Sequence, residues 1–145
     1  MVNVNMAHFM TDRTVTVDDV MSDLKTVPEG TAVPDAAAMM LEEGVGSLII
    51  TADERSTGII TETDIVELVA SNSPTDTITV AEIMSSPLIT VESGASIEIA
   101  ADRMKSERIK KLPVERADEI VGMVTTTDIS HYFPQYHPKS ESWIH

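Results

Sequence analysis

Apolar residues recur along this chain at two intervals, and each interval predicts a different kind of element. Ile97, Ala100, Ala101 and Met104 are three and four apart, the spacing that lays a single stripe along a helix. A turn signal at Gly94 precedes them, as Gly30 precedes Ala36, Ala37 and Met40. Leu48-Ile49-Ile50-Thr51 and Leu112-Pro113-Val114 are short apolar runs. Turns at Asp53 to Ser56 and at Arg116 to Asp118 follow them, so both read as buried strands, with Gly58 to Thr61 and Val121 to Thr125 returning alongside. Brief strands are expected earlier, at Thr26-Val27 and at Leu88-Ile89-Thr90-Val91. Thr16 with Asp19, and Thr79 with Glu82, have capping-box spacing, which predicts short helices ending near Met21 and Met84. A last helix begins at each Thr-x-x-Asp, Thr61 to Asp64 and Thr125 to Asp128. Strand, helix, strand, strand, helix is an α/β order.

The two series are copies of one another. Thr16-Val17-Asp18-Asp19-Val20-Met21-Ser22 returns as Thr79-Val80-Ala81-Glu82-Ile83-Met84-Ser85, 63 residues on. One inserted residue later the offset is 64, and it holds for Gly30 and Gly94, Ala36 and Ala100, Met40 and Met104, and Leu48 and Leu112. Gly58-Ile59-Ile60-Thr61-Glu62-Thr63-Asp64-Ile65 matches Gly122-Met123-Val124-Thr125-Thr126-Thr127-Asp128-Ile129. The expected organisation is an N-terminal segment 1–15, a first repeat 16–70, a linker 71–78, a second repeat 79–131 and a tail 132–145.

These residues resemble the CBS domain family, present as a tandem pair, or Bateman module. The family pattern runs from a Met-Ser start through Val-x-x-Gly and Leu-Pro-Val to a closing Gly, two apolar residues and Thr-x-x-Asp. The second copy keeps Leu112-Pro113-Val114, whereas the first has Ile49 where that proline stands. The resemblance implies two β-α-β-β-α units packed sheet to sheet about a pseudo-twofold axis, with two clefts for adenosine-containing ligands.

Two readings of the closing motif stay open on its chemistry. Asp64 and Asp128 can accept hydrogen bonds from ribose hydroxyls while Thr61, Thr125 and helix N–H groups meet a phosphate or other polar group. Equally, the threonines are N-caps and the aspartates first-turn acids that favour the helix dipole. The resemblance favours the first reading. In nucleotide-binding members the adenine lies near a small residue, matched here by Ala36 and Ala100, and near a threonine matched by Thr31 but replaced by Ala95 in the second copy. A His-Arg phosphate grip aligns with Glu107-Arg108 in the second copy and Glu43-Gly44 in the first. The implied clefts therefore differ: that of Thr61 and Asp64 would borrow Arg108 and Lys110, and that of Thr125 and Asp128 would face Glu43. A local solubilising role for Arg108, Lys110 and Lys111 is the competing reading.

Composition narrows the function further. At 145 residues, 42% hydrophobic and 23% charged, the chain is expected to build its own core, and it has no apolar run of the ~18 residues a bilayer requires. With no cysteine there is no disulfide framework, and Met1 to Met10 lacks the look of a secretion signal, so a cytoplasmic protein is expected. A net charge of -14 repels nucleic acid and anionic lipid, and the scattered acids suggest a salt-adapted surface. His131, His137 and His145 lack the spacing of a zinc pair, and no nucleophile-elbow or phosphate-loop pattern occurs. Four of the five aromatic residues fall between Tyr132 and Trp143, and this tail is expected to dock on the module or on a second subunit.

The expectation is thus a stand-alone, non-catalytic sensor of AMP, ADP, ATP, S-adenosylmethionine or methylthioadenosine, with no obligatory cofactor and no metal. It would act as a homodimer on an unidentified regulated protein, without direct contact to nucleic acid or membrane. A structural adaptor with empty clefts, or an accessory subunit of a separate enzyme, is the alternative. The 24 carboxylates make one prediction by themselves: raising potassium chloride from about 0.1 to about 3 M should raise the melting temperature through relief of self-repulsion. A flat melting temperature in calorimetry over that range would exclude salt adaptation.

Overall fold

The computed structural model describes residues 15–132. Their elements are α1 (Val17–Val20), β1 (Thr26–Pro28), α2 (Val33–Glu43), β2 (Ser47–Ala52), β3 (Arg55–Thr61) and α3 (Glu62–Ala70). The second series follows as α4 (Val80–Ile83), β4 (Val91–Glu92), α5 (Ile97–Glu107), β5 (Lys111–Arg116), β6 (Glu119–Thr125) and α6 (Thr126–Tyr132). Two three-stranded sheets result, ordered β1-β2-β3 and β4-β5-β6. This is the α/β order expected from the repeat.

The described chain divides into two compact units. One comprises 15–22, 91–114 and 122–132, and the other 23–90 with 115–121. In the latter, β1 runs parallel to β2 with α2 as the crossover, and β3 returns antiparallel to β2. Proline near the first turn starts α2, and Gly44 ends it with φ +67°, a left-handed conformation that glycine adopts without a Cβ penalty. Val33, Ala36 and Met40 are the buried stripe of α2. Ala36 and Met40 join Val27, Leu48, Ile50 and Ile60 in one core, which Val80 of α4 completes at 0% exposure. Complete burial of a valine contributes on the order of 1.5–3 kcal/mol.

Val80 comes from the other repeat, and its seat is fixed by backbone hydrogen bonds. Val33 N–H donates to Ile78 O at 2.9 Å, Val80 N–H to Thr31 O at 2.8 Å, and Ser85 N–H to Ile59 O at 2.9 Å. The first unit repeats the arrangement with α1. Val17 is 0% exposed, its N–H donates to Ala95 O at 2.8 Å, Ile97 N–H donates to Val15 O at 3.0 Å, and Ser22 bridges Met123. Asp18 adds a clasp that its counterpart Ala81 lacks, accepting from Ser93 Oγ at 2.7 Å and from Gly94 N–H at 3.1 Å. Each unit therefore takes its opening helix from one repeat and its sheet from the other.

The short helices end as expected, with Met21 and Met84 as C-caps. One strand differs: Leu88, Ile89 and Thr90 are irregular, and β4 holds only Val91 and Glu92. Ser85 is still bridged to Ile59, so the chain must turn through Pro87 before it reaches its own sheet. The hairpin turns fall where expected, with Asp53 and Glu54, and Ala117 and Asp118, all at positive φ.

Both closing-strand glycines are seats for a methionine. A Cβ on Gly122 would lie 2.5 Å from Met21 Sδ, and its three nearest neighbours all belong to that side chain. A Cβ on Gly58 would lie 2.6 Å from Met84 Sδ and also 2.8 Å from the Ser85 carbonyl oxygen. Each Gly→Ala change should cost about 1–3 kcal/mol in urea denaturation. Met21→Ala should rescue most of the Gly122→Ala loss, whereas Met84→Ala should rescue only part of the Gly58→Ala loss, because the carbonyl stays. Equal coupling energies in the two double-mutant cycles would contradict this packing.

Candidate functional site

The Thr-x-x-acid pattern occurs four times, and each occurrence begins a helix with the same chemistry. At α1, Thr16 N–H and hydroxyl donate to Asp19 Oδ2 at 2.9 and 3.2 Å. At α4 the corresponding bonds from Thr79 to Glu82 Oε2 are 2.8 and 3.2 Å. At α3, Thr61 N–H and hydroxyl donate to Asp64 Oδ2 at 2.8 and 3.2 Å. At α6, Thr125 N–H donates to Asp128 Oδ2 at 2.8 Å, and Asp128 N–H donates back to Thr125 Oγ1 at 3.2 Å. The capping reading is thus realised at all four starts.

What separates Asp64 and Asp128 from the other two acids is burial. Asp19 and Glu82 are exposed, while Asp64 and Asp128 are half-buried, as are Thr61 and Thr125. Among the described residues no hydrogen bond ends on Oδ1 of either aspartate. The box holds each carboxylate in one orientation through Oδ2, which leaves Oδ1 suited to accept from hydroxyls of a ligand. Capping and ligand binding are compatible in one carboxylate.

A loop closes under each of these two helix starts. Glu62 N–H donates to Gly46 O at 3.1 Å, and Thr126 N–H to Lys110 O at 3.0 Å, equivalent positions at offset 64. Exposed Lys110 therefore lies beside the Thr125 and Asp128 start, in one unit with Arg108, whereas Thr31, Thr61 and Asp64 belong to the other unit. Thr31 is half-buried, its carbonyl receiving Val80 N–H. Arg108 ends α5 with φ +60°, where the first copy has Gly44.

Ala36 and Ala100 are 0% exposed, because the three-and-four spacing that predicts their helices also turns them onto the core stripe. Glu43 is paired with Lys25 at 3.3 Å. Lys25 and the clasp of Asp18 were invisible to repeat alignment because each depends on a partner that only the fold brings near. The aromatic tail after Tyr132, with His137 and His145, lies outside the described residues. Among the described residues no group of three His, Cys, Asp or Glu side chains is placed to hold a metal, and no helix is long and apolar enough to cross a membrane.

Residues 8–71 and 80–135 both match the family model of the CBS domain. Hypoxic response protein 1 of Mycobacterium tuberculosis is 30% identical over 124 residues, which are 83% of this chain and 87% of that one. Homoserine O-acetyltransferase of Methanohalobium evestigatum is 33% identical over 123 residues, 83% of this chain but only 24% of the relative. The chain thus spans about a quarter of such acetyltransferases. Among solved structures, an uncharacterized conserved protein from Pyrococcus horikoshii superposes with a TM-score of 0.78 at 29% identity, covering 87% of this chain and 97% of that chain. A CBS domain pair solved in complex with 5′-methylthioadenosine and S-adenosyl-L-methionine superposes with a TM-score of 0.76 at 28% identity, covering 83% and 97%.

A left-handed arginine is a local cost that glycine would not bear. Arg108→Gly should therefore stabilise the fold by about 0.5–1 kcal/mol in urea denaturation. A loss of stability would show that the guanidinium has a structural role instead.

Proposed function

Because the chain belongs to the CBS domain family, as two tandem CBS domains, we propose that it is a non-catalytic regulatory module that senses an adenosine-containing ligand. One observation carries this reading: a rigidly held, half-buried Thr-x-x-Asp carboxylate stands at equivalent helix starts in both repeats, in a chain similar to a CBS pair that binds methylthioadenosine and S-adenosylmethionine. Asp64 and Asp128 accept from the ribose hydroxyls, with Thr61, Thr125 and Thr31 as neighbouring polar groups. Arg108, with Lys110 near it in sequence, supplies the charge that favours a phosphate-bearing ligand such as AMP, ADP or ATP. The strain accepted at Arg108 supports a role for its side chain that stability does not explain. The protein acts as a homodimer on a separate regulated protein.

A second reading has its own support. Similar chains are a quarter of several homoserine O-acetyltransferases, so the module also fits as an accessory regulatory part of an enzyme whose catalytic groups lie elsewhere. A turnover assay with homoserine and acetyl-coenzyme A, with and without added module, distinguishes a regulator from a catalyst.

The ligand reading is tested by calorimetry with methylthioadenosine, S-adenosylmethionine, AMP and ATP. Asp64→Asn and Asp128→Asn keep an oxygen for the cap but remove the charge. Each should weaken the ligand at its own site by about 1.5–3 kcal/mol. Arg108→Gly should weaken AMP and ATP far more than methylthioadenosine. If neither asparagine variant changes any affinity, the two acids are caps alone, and if the whole panel fails to bind, the module is an adaptor.

A further inference from the structure

The described methionines fall into two groups. Met40, Met104 and Met123 are 5% exposed or less, whereas Met21, Met39 and Met84 are half-buried and remain in contact with solvent. Met39 packs at the edge of the core that holds Ala36 and Met40. Met21 and Met84 have a different task, since each ends a four-residue helix as its C-cap and lays its sulfur on a strand glycine, Gly122 or Gly58. The thioether is apolar and adaptable, which suits a seat where the glycine has no Cβ to collide with it. These two sulfurs help to hold the exchanged helices α1 and α4 in place.

The surroundings of the two sulfurs differ by one hydroxyl. Thr57, the residue before Gly58, places Oγ1 4.0 Å from Met84 Sδ while donating to Ile50 O at 3.2 Å. The residue before Gly122 is Val121, which has no hydroxyl, and among the described residues no hydrogen bond ends on Met21 Sδ. Ser22 and Ser85 follow the two methionines alike, so Thr57 is the difference. Oxidation turns a thioether into a polar sulfoxide, an acceptor that needs a donor wherever water is excluded. The Met84 seat has that donor within reach, and the Met21 seat has a valine in its place.

We propose that Met21 is a modification site, oxidised to the sulfoxide by hydrogen peroxide, and that this change unseats α1 from its unit, while Met84 takes up the same oxygen with its helix in place. In the reaction the O–O bond of the peroxide breaks, one oxygen bonds to Sδ through a sulfur lone pair, and the other leaves as water. The sulfur is oxidised by two electrons, and the peroxide is reduced by the same two. A four-residue helix such as α1 has no stability of its own, so a sulfoxide left without a donor on the Gly122 seat draws the helix toward water, and Val17 leaves its core with it. The proposal concerns packing alone and stands apart from the ligand reading.

Treatment of the full chain with hydrogen peroxide tests this, with each methionine followed by peptide mass spectrometry and stability by urea denaturation. Oxygen should add at Met21, Met39 and Met84 well before Met40, Met104 and Met123, and the urea midpoint should fall by about 1 M. Met21→Leu keeps the volume without the oxidisable sulfur and should abolish most of that fall, whereas Met39→Leu and Met84→Leu should leave it. Val121→Thr gives the Met21 seat the hydroxyl that Thr57 supplies at the other, and should reduce the fall to about half or less, while Thr57→Val should enlarge it. A midpoint unchanged once Met21 is oxidised, a fall that persists in Met21→Leu, or a Met21 that stays reduced while Met40 and Met104 oxidise overturns the proposal. Should Met21→Leu not fold, Val121→Thr decides alone, because it leaves Met21 in place, and an undiminished fall in that variant overturns the proposal.

Discussion

The fold depends on an exchange of two valines. Val17 and Val80 open their repeats, and each is wholly buried in a unit whose sheet belongs to the other repeat. Backbone bonds pin the two short helices on both sides, from Val15 to Ile97 and Ser22 to Met123 in one unit, and from Thr31 to Val80 and Ile59 to Ser85 in the other. A four-residue helix has no stability of its own, so its burial against a foreign sheet is what makes it a helix at all. Neither repeat can complete its core without residues from the other, and the duplication is therefore obligatory. The Met21 and Met84 seats on Gly122 and Gly58 follow from the same exchange, since each methionine caps the helix that has crossed over.

That dependence puts the capping boxes in two different settings. At α1 and α4 the box starts an exchanged helix, and its acid is exposed to water. At α3 and α6 the box lies beside the loop that closes on Gly46 or Lys110, where a half-buried carboxylate has one oxygen fixed by the backbone. Hydrogen-bond pattern alone does not distinguish a cap from a ligand site. Burial is what sets Asp64 and Asp128 apart from Asp19 and Glu82, and a ligand-binding carboxylate would need to be both oriented and partly shielded from water.

Much of this was legible in the sequence, for a physical reason. Gly58 and Gly122, Thr61 and Thr125, and Asp64 and Asp128 occupy positions where a close approach or a helix start admits few residue types, so duplication left them in register. The strands and helices followed from spacings that report the direction of each side chain. What did not follow was anything set by residues distant in sequence: the seat of Val80 beside Thr31, the pairing of Lys25 with Glu43, and the irregular path of Leu88 to Thr90. Ala36 and Ala100, carried over from the family as neighbours of an adenine, are fully buried. Their place on the core stripe was already present in the spacing, but proximity to a ligand and exposure to one are separate properties.

The copies differ modestly inside the cores, as at Ile49 and Pro113, Ile50 and Val114, and Ile60 and Val124, and more sharply outside them. Val33, Ala36 and Met40 are matched by buried Ile97, Ala100 and Met104, so the packed stripe was retained almost unchanged. Gly44 against Arg108, Gly46 against Lys110 and Leu41 against Lys105 all lie on the outer face of a helix or in the loop after it. Two of these changes place a cation where the other copy has no side chain, and one of them holds arginine in a backbone conformation that favours glycine. A single duplicated core thus carries two unlike surfaces, one with cations in the loop after its long helix and one apolar on its helices.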